Sequence, residues 1–357
     1  MWNPSNGGTE DGQLWFSLQA KNNYGVTNIY NNAWIPPSYM TNSSQRGGLC
    51  GVPGVSCSSG DWRQAYANYL VQDTKFWASA GVTPSTLGFV NEPATSTGSF
   101  GSMLFTQSQA ANFLSVLGPT LRAANLPTKI TCCDTLGFNQ LPSYVSAVNG
   151  NAAANAAVGV FTSHGYSGAP TTPINSGGRP VWESEWSVNG NQWDPSWDGG
   201  GQADGFNWAQ NVYTAMTGGN VNAFFYFWGI STTKHDSSLI GLTGSTLSPA
   251  KRYYALAGYS RFVRPGATRI SAGSTSGLNI AAFKNTDGSV AVVVLNTGTS
   301  NTSATYSVSN AGKTTGTVTP YLTNSNNSLA QQSAMSLSNG SFTATVPARS
   351  LMTFRIQ

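Results

Sequence analysis

Two glutamates could do chemistry together in this chain: Glu92, in the run TLGFVNEP, and Glu185, in the run PVWESEWS. Only 13 of the 357 residues are Asp or Glu, and both of these stand in apolar or aromatic surroundings at the carboxyl end of a strand-like run. The carboxyl ends of parallel strands are where βα barrels build active sites. Such a pair suits the hydrolysis of a glycosidic bond. The leaving oxygen needs a proton, and the oxocarbenium-like transition state needs an anion beneath it. A retaining mechanism needs the two carboxyl groups about 5–5.5 Å apart, one protonated and one ionised. Glu183 is the rival for the second role, because it lies two residues before Glu185 and so on the same strand face. A like charge that close raises one of the two pKa values, so either Glu183 stays protonated deeper in the fold or the strand is irregular.

The elements that must position this pair are repeated βα units. Six apolar runs read as strands: VTNIYNNAW near Val26, TLGFVNEP from Thr86, KITCCDT from Lys129, VGVFTSHGY from Val158, PVWESEWS from Pro180 and VNAFFYFWG from Val221. Amphipathic helical patterns lie between them, in DWRQAYANYLVQDTKFWASAG, TQSQAANFLSVLGPTLRAANL and QADGFNWAQNVYTAMTGG, and the alternation implies a parallel sheet. Asp61 is placed to cap the first of these helices and Gly81 to close it. The connection from Ser167 to Arg179 is short and rich in Pro and Gly, so that crossover carries no proper helix. After Pro265 the pattern turns to short alternating strands with turns between them, such as LNIAAFKNTDGSVAVVVLN with Asp-Gly in its hairpin. That places a barrel-type domain at 1–264 and an antiparallel β-sandwich side domain at 265–357.

Composition narrows the partners. Charged residues make up 8% of the chain and aromatic residues 11%, which fits an extracellular protein of sheets and loops better than a disordered chain or a helical cytosolic one. Flat rings also suit the apolar face of a sugar. The net charge of +4 is not gathered into a basic run, so nucleic acid is not an expected partner, and no apolar stretch is long enough to span a membrane. Cys50 and Cys57 flank the loop GVPGVS and read as a disulfide, whereas the adjacent Cys132 and Cys133 read as two free thiols on a buried strand, with a vicinal bond as the alternative. No cysteine or histidine spacing suggests a metal, and no cofactor is implied, since the chemistry needs two carboxyl groups and water. Sequons at Asn42, Asn301, Asn326 and Asn339, together with the disulfide, favour secretion and glycosylation.

Taken in order, AWIPPSYMTN, GDWRQAYANYLVQ, GFVNEP, ITCCD, SHGYS, WESEW and VPARSLMTF resemble glycoside hydrolase family 30, closest to its fungal xylanase branch. The resemblance spans nearly the whole chain. It implies a (β/α)8 TIM barrel joined to a β-sandwich, a retaining mechanism, Glu92 as acid/base and Glu185 as nucleophile. It further implies that Asn91 hydrogen-bonds the sugar 2-OH, that His164 and Tyr166 line the cleft with Tyr166 touching the nucleophile, and that Trp228 floors the subsite of the attacked sugar. Trp34 and Trp186 are candidate further walls, with core packing an equal reading for both. In such barrels the two glutamates belong to the fourth and seventh strands, yet here they fall on the second and fifth. The barrel is therefore expected to lack its first two βα units, leaving about six, and to expose strand edges and apolar side chains.

The expected function is retaining, endo-acting hydrolysis of β-1,4-xylan or glucuronoxylan by a secreted enzyme whose partner is the polysaccharide. Lys234 and His235 are the substitutes available for reading a glucuronate branch. A β-1,6-glucanase or β-1,6-galactanase of the same family is the alternative, and a catalytically disabled carbohydrate-binding protein is the alternative from another class.

Overall fold

The computed structural model describes residues 12–43, 47–96, 102–190, 192–273, 275 and 277–357. Two compact units make up the chain: Met1–Glu185 with Val221–Ala223, and Trp186–Asn220 with Phe224–Gln357.

Elements run in the order α1 (Gln13–Tyr24), β1 (Tyr30–Asn32), α2 (Arg63–Ser79), β2 (Thr86–Gly88), α3 (Gln107–Ala123), β3 (Lys129–Thr135), α4 (Leu141–Asn149), α5 (Ala152–Asn155), β4 (Val158–His164), β5 (Val181–Trp186), α6 (Gly205–Thr217), β6 (Ala223–Tyr226) and α7 (Lys251–Ser260). All six runs read from the sequence as strands are strands here. They form one sheet in chain order, with β1 to β5 parallel. Asn222 extends that sheet, its backbone N donating to Val181 O and its Oδ1 accepting from Val181 N. Helices join β1 to β2, β2 to β3 and β3 to β4, while residues 165–180, between β4 and β5, hold no helix. The sheet is an open half-barrel rather than a closed eight-stranded cylinder, and β1 has β2 as its one strand neighbour among the described residues. Helix α1 buries none of its residues and exposes Trp15 and Phe16.

What positions Glu92 is an aromatic cluster behind β2. Phe89, Phe105 and Phe113 are fully buried with Tyr66, and Phe113 lies 5.2 Å from Tyr66, 5.3 Å from Phe89 and 5.9 Å from Phe105, ring centre to ring centre. The Tyr66 hydroxyl donates to the Phe89 carbonyl, so α2 and α3 grip the backbone three residues before Glu92. Helix α3 supplies Phe113 from a fixed start, because Thr106 and Gln109 form a reciprocal capping box.

Two local expectations are corrected. Helix α2 begins one residue later than read, with Trp62 at the cap position. Asp61 instead accepts from the backbone N of Arg63, still satisfying one free donor of the first turn. Cys132 and Cys133 are not free thiols but a disulfide pair, with Cα atoms 3.0 Å apart across a cis peptide. The free-thiol reading assumed the opposite-facing side chains of a regular strand, and this peptide does not follow that alternation. Cys50 and Cys57 are bonded as expected.

In the second unit, strands Thr268–Ile270, Leu278–Lys284, Val290–Asn296, Ser350–Ile356, Gly316–Thr323 and Ala330–Gln331 pair in that order, and Met335–Leu337 also pairs with Gly316–Thr323. Thr302–Ser307 and Ser341–Val346 form a separate antiparallel pair. The central run Val290–Asn296 is buried along its whole length, which is why it reads as continuously apolar rather than alternating. Val290, Val292 and Val294 pack with Tyr306, Phe342 and Phe354, while Val293 and Leu295 pack with Trp197, Phe206 and Tyr259.

Because Phe113 is enclosed on every side by the cluster that holds Glu92, Phe113→Ala is expected to cost about 3–5 kcal/mol in denaturant unfolding. A loss under about 1 kcal/mol would show that α3 does not anchor this segment.

Candidate active site

The strand ends bring one imidazole into contact with carboxyl groups from neighbouring chain segments. His164 ends β4, directly across from Glu185 on β5. Regular pairing of β2 stops at Gly88, and Glu92 lies four residues beyond it, tied to β3 by a hydrogen bond from its backbone N to Asp134 O at 2.8 Å. Both Glu92 and Asp134 adopt left-handed backbone, with φ of 46° each. That conformation is uncommon for residues with a Cβ and gathers at functional sites. Ser102 Oγ donates to Asn91 O, and Phe105 N to Pro93 O, so the turn carrying Glu92 is held from both sides.

His164 Nδ1 is 3.1 Å from Glu92 Oε1 and 3.8 Å from Glu185 Oε1. One oxygen of each glutamate and one ring nitrogen lie within 4.8 Å of one another. That bound admits the separation of about 5–5.5 Å between carboxyl groups at which one can attack a sugar carbon while the other serves its leaving oxygen. The Tyr166 hydroxyl donates to Glu185 Oε1 at 3.0 Å. Burial raises the pKa of Glu185 above the ordinary carboxyl value, an effect opposed by the charge of His164 and the Tyr166 hydrogen bond and reinforced by the charges of Glu92 and Asp134. At His164 burial disfavours the cation, but the hydrogen bond to Glu92 and the charges of Glu185, Asp134 and Glu92 outweigh it and lift the ring above its ordinary pKa. The same three side chains offer one nitrogen and two oxygens to a cation, and the nitrogen would serve as a ligand only as neutral imidazole.

Glu183 resolves through an irregular strand. The β4–β5 register slips after Ser163↔Glu183, so that His164 faces Glu185. Glu183 is completely buried, and its Oε1 accepts from the backbone N of Glu185 at 3.1 Å. Its carboxyl group therefore supports the bulge that carries Glu185, and the Glu185 side chain keeps 13% of its surface exposed.

Of the residues singled out in the sequence, Asn91, Glu92, His164, Tyr166 and Glu185 share the first unit. Asn91 is buried, and its Oδ1 has no partner among the described residues, an acceptor of the kind a sugar hydroxyl satisfies. Trp34 is half-buried just beyond β1. Trp186 and Trp228 belong to the second unit. The ring of Trp186, half-buried, lies 5.3 Å from Trp208 and 6.3 Å from Phe224, against the core side chains there. Trp228 is 38% exposed, with its edge against the His235 ring. Sequence reasoning missed Asp134, Tyr30 and Ser184, which stand behind the imidazole. The one signal for them was an acid closing the otherwise uncharged run ITCCD.

Comparison with known proteins sets this geometry in a family. The description "O-Glycosyl hydrolase family 30" matches residues 5–165, and "Glycosyl hydrolase family 30 beta sandwich domain" matches residues 266–354. The catalytic domain of the family 30 xylanase C of Talaromyces cellulolyticus is 36% identical to this chain. Their superposition covers 98% of this chain and 81% of that one, with a TM-score of 0.89. The chain belongs to glycoside hydrolase family 30. A family 30 subfamily 8 xylanase of Clostridium acetobutylicum shares the fold at 24% identity, with a TM-score of 0.79 over 99% of this chain and 86% of that one. Among curated proteins, an endo-1,6-β-D-glucanase of Trichoderma harzianum is 24% identical over 75% of this chain, and a glucuronoxylanase of Bacillus subtilis is 26% identical over 41%. The chain spans 58% and 33% of the length of these two relatives.

Removing the Tyr166 hydroxyl in Tyr166→Phe takes away a hydrogen bond that favours the ionised form of Glu185. Its carboxyl titration, followed by carbon NMR, is expected to move to higher pH by up to about one unit. A midpoint that stays or falls would refute the role of this contact.

Proposed function

We propose that this family 30 protein is a retaining, endo-acting glycoside hydrolase of β-1,4-xylan or glucuronoxylan, acting outside the cell. The observation that carries the reading is the approach of the Glu92 and Glu185 carboxyl groups to within 4.8 Å around a shared imidazole. Glu92 is the acid/base. It gives its proton to the leaving oxygen, is left as a carboxylate, and then takes a proton from the water that releases the sugar. Glu185 is the nucleophile, its anion favoured by the Tyr166 hydroxyl and the neighbouring imidazolium, and it forms and then loses the glycosyl ester. Asn91 presents its unpartnered Oδ1 to the sugar 2-OH. Xylan is favoured by the 36% identity to a xylanase over most of both chains, while the likeness to a 1,6-glucanase makes β-1,6-glucan the second substrate to test. An extracellular place of action is supported by the Cys50–Cys57 disulfide. No helix among the described residues is long and apolar enough to cross a membrane.

The test is to incubate the purified chain with xylan, glucuronoxylan, β-1,6-glucan and β-1,6-galactan and to identify the products by mass. Internal xylan fragments of mixed length are expected, and Glu92→Ala is expected to lose at least about a hundredfold in rate. With an activated aryl β-xylobioside and added azide, Glu92→Ala should yield the β-glycosyl azide and Glu185→Ala the α-anomer. The reverse assignment of anomers would exchange the two roles. Binding of xylan by the unaltered chain with no release of product would instead mark a carbohydrate-binding protein.

A further inference from the structure

Resting on the hydrolase reading above, we infer that Asp134 is a positioning residue of the reaction: its backbone carbonyl fixes Glu92, and its carboxylate, held by Tyr30 and Ser184, fixes the imidazole of His164 between the two glutamates. The carbonyl of Asp134 accepts from Glu92 N. Its side chain accepts from the Tyr30 hydroxyl and from Ser184 Oγ, and its own backbone N donates to Thr162 Oγ1 at 3.1 Å. Strand β1, at the edge of the sheet, thus reaches across to β3, and β5 reaches back to it. Asp134 Oδ1 is 3.8 Å from His164 Nε2, the ring nitrogen opposite the one facing Glu92 and Glu185. The imidazole therefore has a carboxyl group on both sides.

A purely structural role accounts poorly for this arrangement. Asp134 is only 1% exposed, and no Lys or Arg ion pair is found for it among the described residues. A buried carboxylate costs free energy unless it is paired and hydrogen-bonded, and His164 is the ion-pair partner found for it among the described residues. Burial raises the pKa of Asp134, and the charge of His164 with the hydrogen bonds from Ser184, Tyr30 and Thr162 opposes that rise. The groups facing the imidazole are Glu92 from the segment after β2, Asp134 from β3, Glu185 from β5, and the Tyr166 ring edge-on at 5.7 Å. When Glu92 has given its proton to the leaving oxygen, an imidazolium at 3.1 Å stabilises the carboxylate that remains. Asp134 keeps that imidazolium charged and oriented without exchanging a proton itself.

The variant to test is Asp134→Asn, which keeps the shape and tolerates the left-handed backbone. Loss of an anion facing the ring is expected to lower the His164 titration midpoint, read by nitrogen NMR, by about one pH unit. The rate on xylan should fall about tenfold or more, because proton delivery to a poor leaving group is impaired. Toward an aryl β-xylobioside with dinitrophenolate as leaving group, which departs without a proton, kcat/KM should fall several-fold less. A structural role would slow both substrates equally and leave the midpoint in place, and either result overturns the inference. Should Asp134→Asn fail to fold, Ser184→Ala removes one hydrogen bond to the same carboxylate and is expected to act in the same direction more weakly. The NMR arm needs no activity, so a chain that hydrolyses nothing would defeat the hydrolase reading while the Asp134–His164 coupling is still measured.

Discussion

The structure around the site depends on holding one imidazole among carboxyl groups inside a protein with very little charge to spend. His164 is almost wholly buried, as are Glu92 and Asp134, and Glu185 is nearly so. Each anion taken from water costs several kcal/mol on its own, so such a cluster persists only if its members satisfy one another. His164 does this by facing Glu92 and Glu185 with one nitrogen and Asp134 with the other. The outer members are then tied off by hydroxyl groups, Tyr166 on Glu185 and Tyr30 and Ser184 on Asp134.

Regular secondary structure could not build this arrangement. In an unbroken parallel sheet, side chains alternate between faces, and continuing the register that pairs Ser163 with Glu183 would have put Ser184, not Glu185, opposite His164. The slip between Ser163 and His164 sets Glu185 beside the imidazole, and the Glu183 carboxylate accepts the backbone N at that point. At β2 and β3 the departure is different. Glu92 and Asp134 both turn into left-handed backbone, and the hydrogen bond between them joins the two turns. The aromatic cluster of Tyr66, Phe89, Phe105 and Phe113 bears on the same segment from behind, so packing and hydrogen bonding position the acid together.

A pair of carboxyl groups recognises an acetal, not the hydroxyl to which it is joined. Relatives named as a xylanase and as a 1,6-glucanase can therefore share this chain's fold and family, and linkage preference must come from side chains that contact the flanking sugars. Asn91 has a buried acceptor with no partner among the described residues. Trp228 is exposed with its ring against His235, and Trp186 packs with the core of the second unit.

The sequence by itself determined the six strands, the two glutamates at their ends, the sandwich hairpin around Asp287-Gly288 and the Cys50–Cys57 bridge. Each of these is a local matter of apolar runs, turn residues and short loop closure, and local patterns survive in a linear reading. It also named His164 and Tyr166, through motifs that resemble a family. Only the tertiary structure decided the contacts of Glu183, the pairing of Cys132 with Cys133, and the convergence of Tyr30, Asp134 and Ser184 behind the imidazole. Those depend on a register slip, on backbone conformations that composition does not announce, and on residues separated by up to 104 positions in the chain. Hydrogen bonds over such separations are set by how strands lie beside one another, which no spacing in the sequence records.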